Sequence, residues 1–168
     1  FLSRVPDATR ALTELYSNSG TSASYRQMDG NGVHAYKLIN TKGEVHYVKF
    51  HWKSLQGIKN LDPAEVVKVQ GQDYSHLTND LVTNINKGNF PKWDLYVQVV
   101  NPQDLYKFDF DPLDATKVWP GIAERKVGQM VLNRNPANVF QETEQVAMAP
   151  ANLVPGIEPS EDRLLQGR

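Results

Sequence analysis

Two short runs of the chain alternate between apolar and polar positions. In residues 33–39, Val33 and Ala35 fall on one side and His34, Tyr36 and Leu38 on the other. In residues 45–52, Val45, Tyr47, Lys49 and His51 oppose His46, Val48, Phe50 and Trp52. A period of two among β-branched and aromatic residues predicts strands. Asn40-Thr41-Lys42-Gly43 between the runs predicts a tight turn, with Gly43 free to take positive φ. Just upstream, Gly30-Asn31-Gly32 has the composition of a turn; no helix follows it, so it is not a phosphate cradle. His34, His46 and His51, three of the four histidines, sit in this hairpin. Polar groups on both of its faces predict that one face looks into a site.

Helical spacing takes over elsewhere. Residues 6–17 place Ala8, Ala11, Leu12, Leu15 and Tyr16 on one face, with Pro6 at the first position and Gly20 as a stop. Asp62-Pro63-Ala64-Glu65 predicts a capped helix start, which Val66, Val67 and Val69 carry to Gly71. A second helix is predicted over 75–87, where Leu77, Leu81 and Ile85 recur every four residues beside Val82 and Gly88 closes the end. In residues 94–100, Leu95, Val97 and Val99 alternate with Tyr96, Gln98 and Val100, and Asn101-Pro102 breaks the strand. An aromatic loop at 108–112, a short strand at 128–132 and a helix from Asn135-Pro136 to about Gln145 follow, with Val139 and Phe140 expected in the core. Prolines and a glycine make 149–159 an irregular loop, and 160–165 a last helical turn. The sum is an α+β chain with about four strands and four or five helices. Four strands alone would leave an open sheet with two bare edges, so part of a larger barrel explains the pattern better than a complete domain.

Composition narrows the function. The 168 residues suffice for one domain burying roughly 70% of its unfolded surface. Eighteen basic residues balance nineteen acidic ones, which argues against a nucleic-acid or membrane surface. No apolar run approaches the roughly 20 residues of a membrane span. Without Cys there is neither disulfide nor thiolate metal site, and the compartment, cytoplasm or alternatively periplasm, is not fixed by that absence. The chain opens Phe1-Leu2 and closes Gly167-Arg168, which suggests an internal piece of a longer polypeptide. No two histidines have ligand spacing on a helix, His46 and His51 face opposite sides of a strand, and a zinc site is not expected; His76 at a helix start should simply be exposed. No nucleophile elbow, phosphate loop or dinucleotide fingerprint occurs. Spacing alone leaves the function undecided.

Five strings change that: 25–34 (YRQMDGNGVH), 50–61 (FHWKSLQGIKNL), 111–120 (DPLDATKVWP), 127–136 (VGQMVLNRNP) and 154–168 (VPGIEPSEDRLLQGR). Long, unusual and in order from end to end, they resemble the monofunctional haem catalases. The resemblance implies an eight-stranded antiparallel barrel with packed helices, of which residues 1–148 would supply the second half and 149–168 the start of a wrapping segment. It implies disproportionation of hydrogen peroxide to water and oxygen at a buried haem, in a protein that is generally a homotetramer. In that family a Tyr holds the iron; it would follow Arg168 by four residues, and the distal His and Asn would precede Phe1, so no metal ligand falls within the chain. Implied for this chain are residues next to the axial Tyr: Arg168 beside the tyrosinate, with His34 and Asp162 in a hydrogen-bonded chain to it. Without the resemblance, His34 is a satisfied core histidine and Asp162 a surface residue near a helix start. Met148 falls where relatives carry a bulky apolar residue near the haem, which is compatible with plain core packing.

Some family members also bind NADPH. Lys53, Val118 and Trp119 match that site, whereas Arg10, Ser19 and Gly121 depart from it, and Ser19 in place of Arg removes a contact to a 2′-phosphate. Lys53 would otherwise be a solvated charge at a strand end and Trp119 a core anchor. Two further functions stay open: a haem enzyme of the same barrel with altered chemistry, such as an allene oxide synthase, and an inactive, haem-free fragment held by the remaining segments of its parent.

Overall fold

The computed structural model describes all residues, Phe1–Arg168. They divide into two compact units: one of Phe1–Asp29, Ser54–Trp93 and Met130–Asn135, the other of Gly30–Lys53, Asp94–Gln129 and Pro136–Arg168.

The first unit carries three helices, α1 (Pro6–Leu15), α2 (Pro63–Gln72) and α3 (His76–Asn86). All three start and stop close to where the sequence places them. The α2 start is the predicted capping box: Asp62 accepts from the Glu65 amide, and the Glu65 carboxylate accepts from the Asp62 amide. Gly88 closes α3 at φ +80°. A bidentate ion pair from Arg26 to Asp80, at 2.7 and 3.0 Å, ties the segment before Asp29 to α3. His76 corrects its expectation. It is half-buried and its Nε2 lies 3.1 Å from the Ala23 carbonyl, because α3 starts against that segment.

The second unit carries most of the sheet. The strands of the sheet are β1 (Gly30–Asn31), β2 (Tyr36–Ile39), β3 (Val45–Ser54), β4 (Lys92–Val100), β5 (Glu124–Val131) and β6 (Ile157–Pro159). The order across the sheet is β5-β4-β3-β2-β6, with β1 also on β3. The pairs β1–β3, β2–β3 and β2–β6 are antiparallel. The hairpin turn falls between Ile39 and Val45, which pair, and Gly43 takes φ +79°. A small core of Ala35, Tyr47, Val100 and Trp119 lies on this sheet, with Leu105, Phe108, Leu113 and Ile122 packed on it.

Six strands replace the expected four, and each difference has a local cause. Gly30-Asn31 is extended rather than a turn: Gly30 pairs with Trp52, and a Cβ on it would stand 3.4 Å from the Trp52 Cβ. Residues 33–35 leave the ladder. From Asn31 to Tyr36 the chain advances five residues while its partner advances from His51 to Val48, so the strand bulges at 32–35. The loop 149–159 ends in β6, completed by pairing with β2. The helix expected over 135–145 is a single π-type turn, Phe140–Glu144. There the Glu142 carboxylate accepts from the Ala137 and Asn138 amides, so the first residues of the segment are held outside a helix. Val139 and Phe140 are exposed, not core residues. No helix is long and apolar enough to cross a membrane.

Candidate functional site

The bulge at 32–35 and the segment after β6 meet at His34. Gly32 makes the bulge possible: its amide donates to the Phe50 carbonyl at 2.8 Å, and a Cβ there would lie 2.7 Å from that oxygen. Two residues on, His34 is turned inward and only 8% exposed. Opposite it, β6 runs into α4 (Arg163–Gln166), whose N-cap is Asp162, 4% exposed. Asp162 serves two partners. Its Oδ1 accepts from the Leu164 and Leu165 amides, and its Oδ2 lies 2.6 Å from His34 Nδ1.

The proton of this pair belongs on His34 Nδ1, because the carboxylate already accepts two amides and can only accept again. Burial by itself would push the Asp162 carboxyl up. The His34 hydrogen bond and the Leu165 and Leu164 amides outweigh it and hold the carboxyl below its ordinary value. In the neutral imidazole, His34 Nε2 is then a lone-pair acceptor. It is fully buried and has no partner. An orphaned buried acceptor costs about 1–3 kcal/mol, so this atom is built for a donor.

Ser160 was not found from the sequence. It is buried, its hydroxyl donates to the Ala35 carbonyl at 2.5 Å, and it accepts from the Asp162 amide at 3.2 Å. It therefore locks the β6–α4 corner against the residue next to His34. The only signal was Ser-x-Asp ahead of a helical turn. Glu161, between them, points elsewhere and accepts from Lys37 Nζ at 2.9 Å and the Tyr47 hydroxyl at 2.7 Å. Burial, then the bond to Glu161, pushes the Tyr47 phenol up to about 12.

The remaining candidates are not gathered here. The Arg168 guanidinium is exposed and has no side-chain partner, although its backbone amide closes α4 on the Leu165 carbonyl. Met148 is 88% exposed. Lys53 is ion-paired with Glu124 and stands 4.9 Å over the Tyr96 ring. Trp119 is buried with its indole N–H on the Pro112 carbonyl at 2.8 Å, while its neighbour Val118 is exposed. Arg10 and Ser19 lie in the other unit. Gly121 is in the left-handed region at φ +77°. No group of three or more His, Cys, Asp or Glu could hold a metal ion.

Comparison with known proteins gives one answer. The family model described as Catalase matches residues 1–168. A catalase of Pseudomonas aeruginosa is 79% identical over 168 residues, covering all of this chain and 33% of the relative. A catalase of Vibrio vulnificus is 68% identical with the same coverage. Among solved structures, a bacterial catalase matches the whole chain with a TM-score of 0.94 at 38% identity, over 33% of its own length. Catalase A from Saccharomyces cerevisiae matches with a TM-score of 0.91 at 42% identity, covering 95% of this chain and 33% of its own. The chain spans about a third of the length of the curated relatives it matches. The open sheet is thus the kind a partial barrel presents.

Proposed function

Because the chain belongs to the catalase family, we propose that it works as part of a haem enzyme that disproportionates hydrogen peroxide to water and oxygen. Residues 1–148 contribute barrel strands and helices; residues 149–168 begin the wrapping segment and enter it through β6. A homotetramer is the assembly that goes with this proposal.

The observation that carries it is the buried His34–Asp162 pair with its unpartnered Nε2. Those residues fit a haem held by a tyrosinate. Haem, when bound, supplies the redox chemistry by which peroxide is reduced and oxidised in turn. The chain's own part is electrostatic. A guanidinium is permanently charged and donates along a fork, so Arg168 can donate to His34 Nε2 while it faces a phenolate. Asp162 fixes the imidazole with its proton on Nδ1, leaving Nε2 free to accept. A cation held this way favours phenolate over phenol and so strengthens the iron's ligand. Met148 stands ready as an apolar contact for the haem.

NADPH does not fit as well. Lys53 is already paired with the Glu124 carboxylate, Trp119 is a core anchor, and Gly121 carries no side chain. No step is assigned to it.

The test is an absorbance spectrum with oxygen evolution from hydrogen peroxide, on the purified polypeptide that carries these residues. A Soret band and oxygen release are expected, with His34→Phe shifting the Soret envelope and lowering turnover at least tenfold. Oxygen release unchanged in His34→Phe would sink the assigned role of the pair. Absence of both Soret band and oxygen release would leave a haem-free polypeptide.

A further inference from the structure

The β2–β6 ladder has a definite alternation. The Ile39 amide donates to the Gly156 carbonyl at 2.8 Å. Next to it, Leu38, Lys37 and Tyr36 stand opposite Ile157, Glu158 and Pro159. In an antiparallel pair every second couple of residues exchanges backbone hydrogen bonds. Counted from Ile39 and Gly156, Pro159 falls at a couple that needs no N–H, which suits a proline. The following couple, Ala35 and Ser160, is due to exchange amide and carbonyl. Side chains take over that rung. The Ala35 carbonyl accepts from the Ser160 hydroxyl at 2.5 Å, and the Ser160 carbonyl accepts from the Gln166 side-chain amide at 2.9 Å.

The change of rung decides which carboxylate meets His34. Continued unbroken, the register would bring Glu161 opposite His34. Instead the Ser160 hydroxyl also accepts from the Asp162 amide at 3.2 Å, so residues 160–162 close a tight turn on one buried oxygen. Glu161 lies at the apex of this turn, where its carboxylate accepts from the Lys37 ammonium at 2.9 Å and the Tyr47 hydroxyl at 2.7 Å. Asp162 is carried back to His34 at 2.6 Å. Two carboxylates adjacent in sequence are thus sent to different partners, and they are not equivalent. The Glu161 side chain is 56% exposed and the Asp162 side chain 3%. Only Asp162 is also held from a second side, by the Leu164 and Leu165 amides.

We propose that Ser160 is a positioning residue that selects Asp162, and not Glu161, as the partner of His34. Its hydrogen bonds go to Ala35 and Asp162, so it acts on the imidazole through them. What it secures is the tautomer, because the proton stays on Nδ1 only while a buried carboxylate faces that nitrogen. The bearing of this on peroxide chemistry rests on the haem reading proposed above; the selection itself does not.

Nitrogen-15 NMR of the histidines reads the tautomer in the purified polypeptide that carries these residues. His34 is assigned by the signals lost in His34→Phe, and any haem iron is kept low-spin with cyanide. The unaltered protein should show Nδ1 protonated and Nε2 bare. Ser160→Ala should mix the two tautomers and speed exchange of the Nδ1 proton at least about tenfold, the equal of one lost hydrogen bond. Ser160→Thr keeps the hydroxyl and should keep the tautomer. Leu165→Ala empties a buried side chain from the same corner without touching these hydrogen bonds. It should lower the thermal midpoint and leave the tautomer as it was. Ser160→Ala with tautomer and exchange unaltered overturns the proposal. So does Leu165→Ala that mixes the tautomers as far as Ser160→Ala does, because any loosening of the corner would then suffice. Should Ser160→Ala fail to fold, Gln166→Ala takes its place. That side chain is exposed, and its loss frees the Ser160 carbonyl to reclaim the backbone rung. Exchange of the Nδ1 proton should rise severalfold, and exchange left unchanged overturns the proposal. A missing Soret band counts against the haem reading alone, since the tautomer is read with or without it.

Discussion

Asp162 is a residue with two duties, and they can be separated. Asn at this position keeps an oxygen for the Leu164 and Leu165 amides but removes the charge that faces His34. Ala removes both. Asp162→Asn is expected to cost about 1.5–3 kcal/mol, the usual worth of a hydrogen bond to a charged group. Asp162→Ala should lose about 1 kcal/mol more with the cap. The pH dependence has a definite sign. The folded carboxyl sits below its ordinary value, so its contribution is complete above the ordinary carboxylate range and is lost as pH falls through the lowered folded value. Urea denaturation of wild type and Asp162→Asn should therefore give a stability gap that is full at neutral pH and closes in acid. A gap that stays constant down to the acid limit would mean that the charge is not what holds His34.

At the scale of elements, local chemistry was legible and distant pairing was not. The α2 capping box, the hairpin turn at Gly43 and the stop at Gly88 are each written within a few residues, and all three appear where the sequence places them. β6 was illegible because Ile157-Glu158-Pro159 has no strand pattern of its own; it is extended only because β2, far away in sequence, offers it a ladder. The His34–Asp162 pair came from family resemblance, since no spacing argument joins residues so far apart. Ser160, which locks their corner, had no such help. The bulge at 32–35 hid behind an apparently regular alternation, and Gly-Asn-Gly, good turn chemistry, was in fact chosen for close strand approach. That makes Gly32 the position to test. Gly32→Ala forces a methyl to 2.7 Å from the Phe50 carbonyl, a backbone atom that cannot step aside. It should destabilise by about 1–3 kcal/mol, as overpacking does, and move the His34 ring resonances in an NMR spectrum. Gly156 makes a useful contrast, because a Cβ there meets the Ile39 carbonyl at a looser 3.2 Å although its φ of +91° adds strain. Gly32→Ala with unchanged stability and unchanged His34 resonances would show that the bulge is not pinned by this contact.

For the whole molecule, the decisive feature is how much apolar surface has no cover. Ten hydrophobic residues are buried, whereas twenty-three large ones are exposed, including Phe1, Tyr16, Tyr74, Tyr106, Phe140 and Met148. Scattered exposed apolar residues are ordinary, but so many, and so large, mark surfaces meant to be covered. Several fall together in sequence at Val139, Phe140, Val146 and Met148, the stretch that forms only a single π-type turn. The chain spans about a third of its relatives' length, and under the haem-bearing homotetramer proposed above these surfaces would be covered by the rest of that assembly. Residues 1–168 produced by themselves should then bind the dye ANS strongly and scatter light at micromolar concentration, and both properties should weaken when Phe140 and Met148 are replaced by Ser together. The longer polypeptide that carries them should bind little dye with the same side chains intact. If residues 1–168 alone stay monomeric and dye-free, these apolar surfaces need no partner, and the assembly assigned to them fails even where the family and the fold stand.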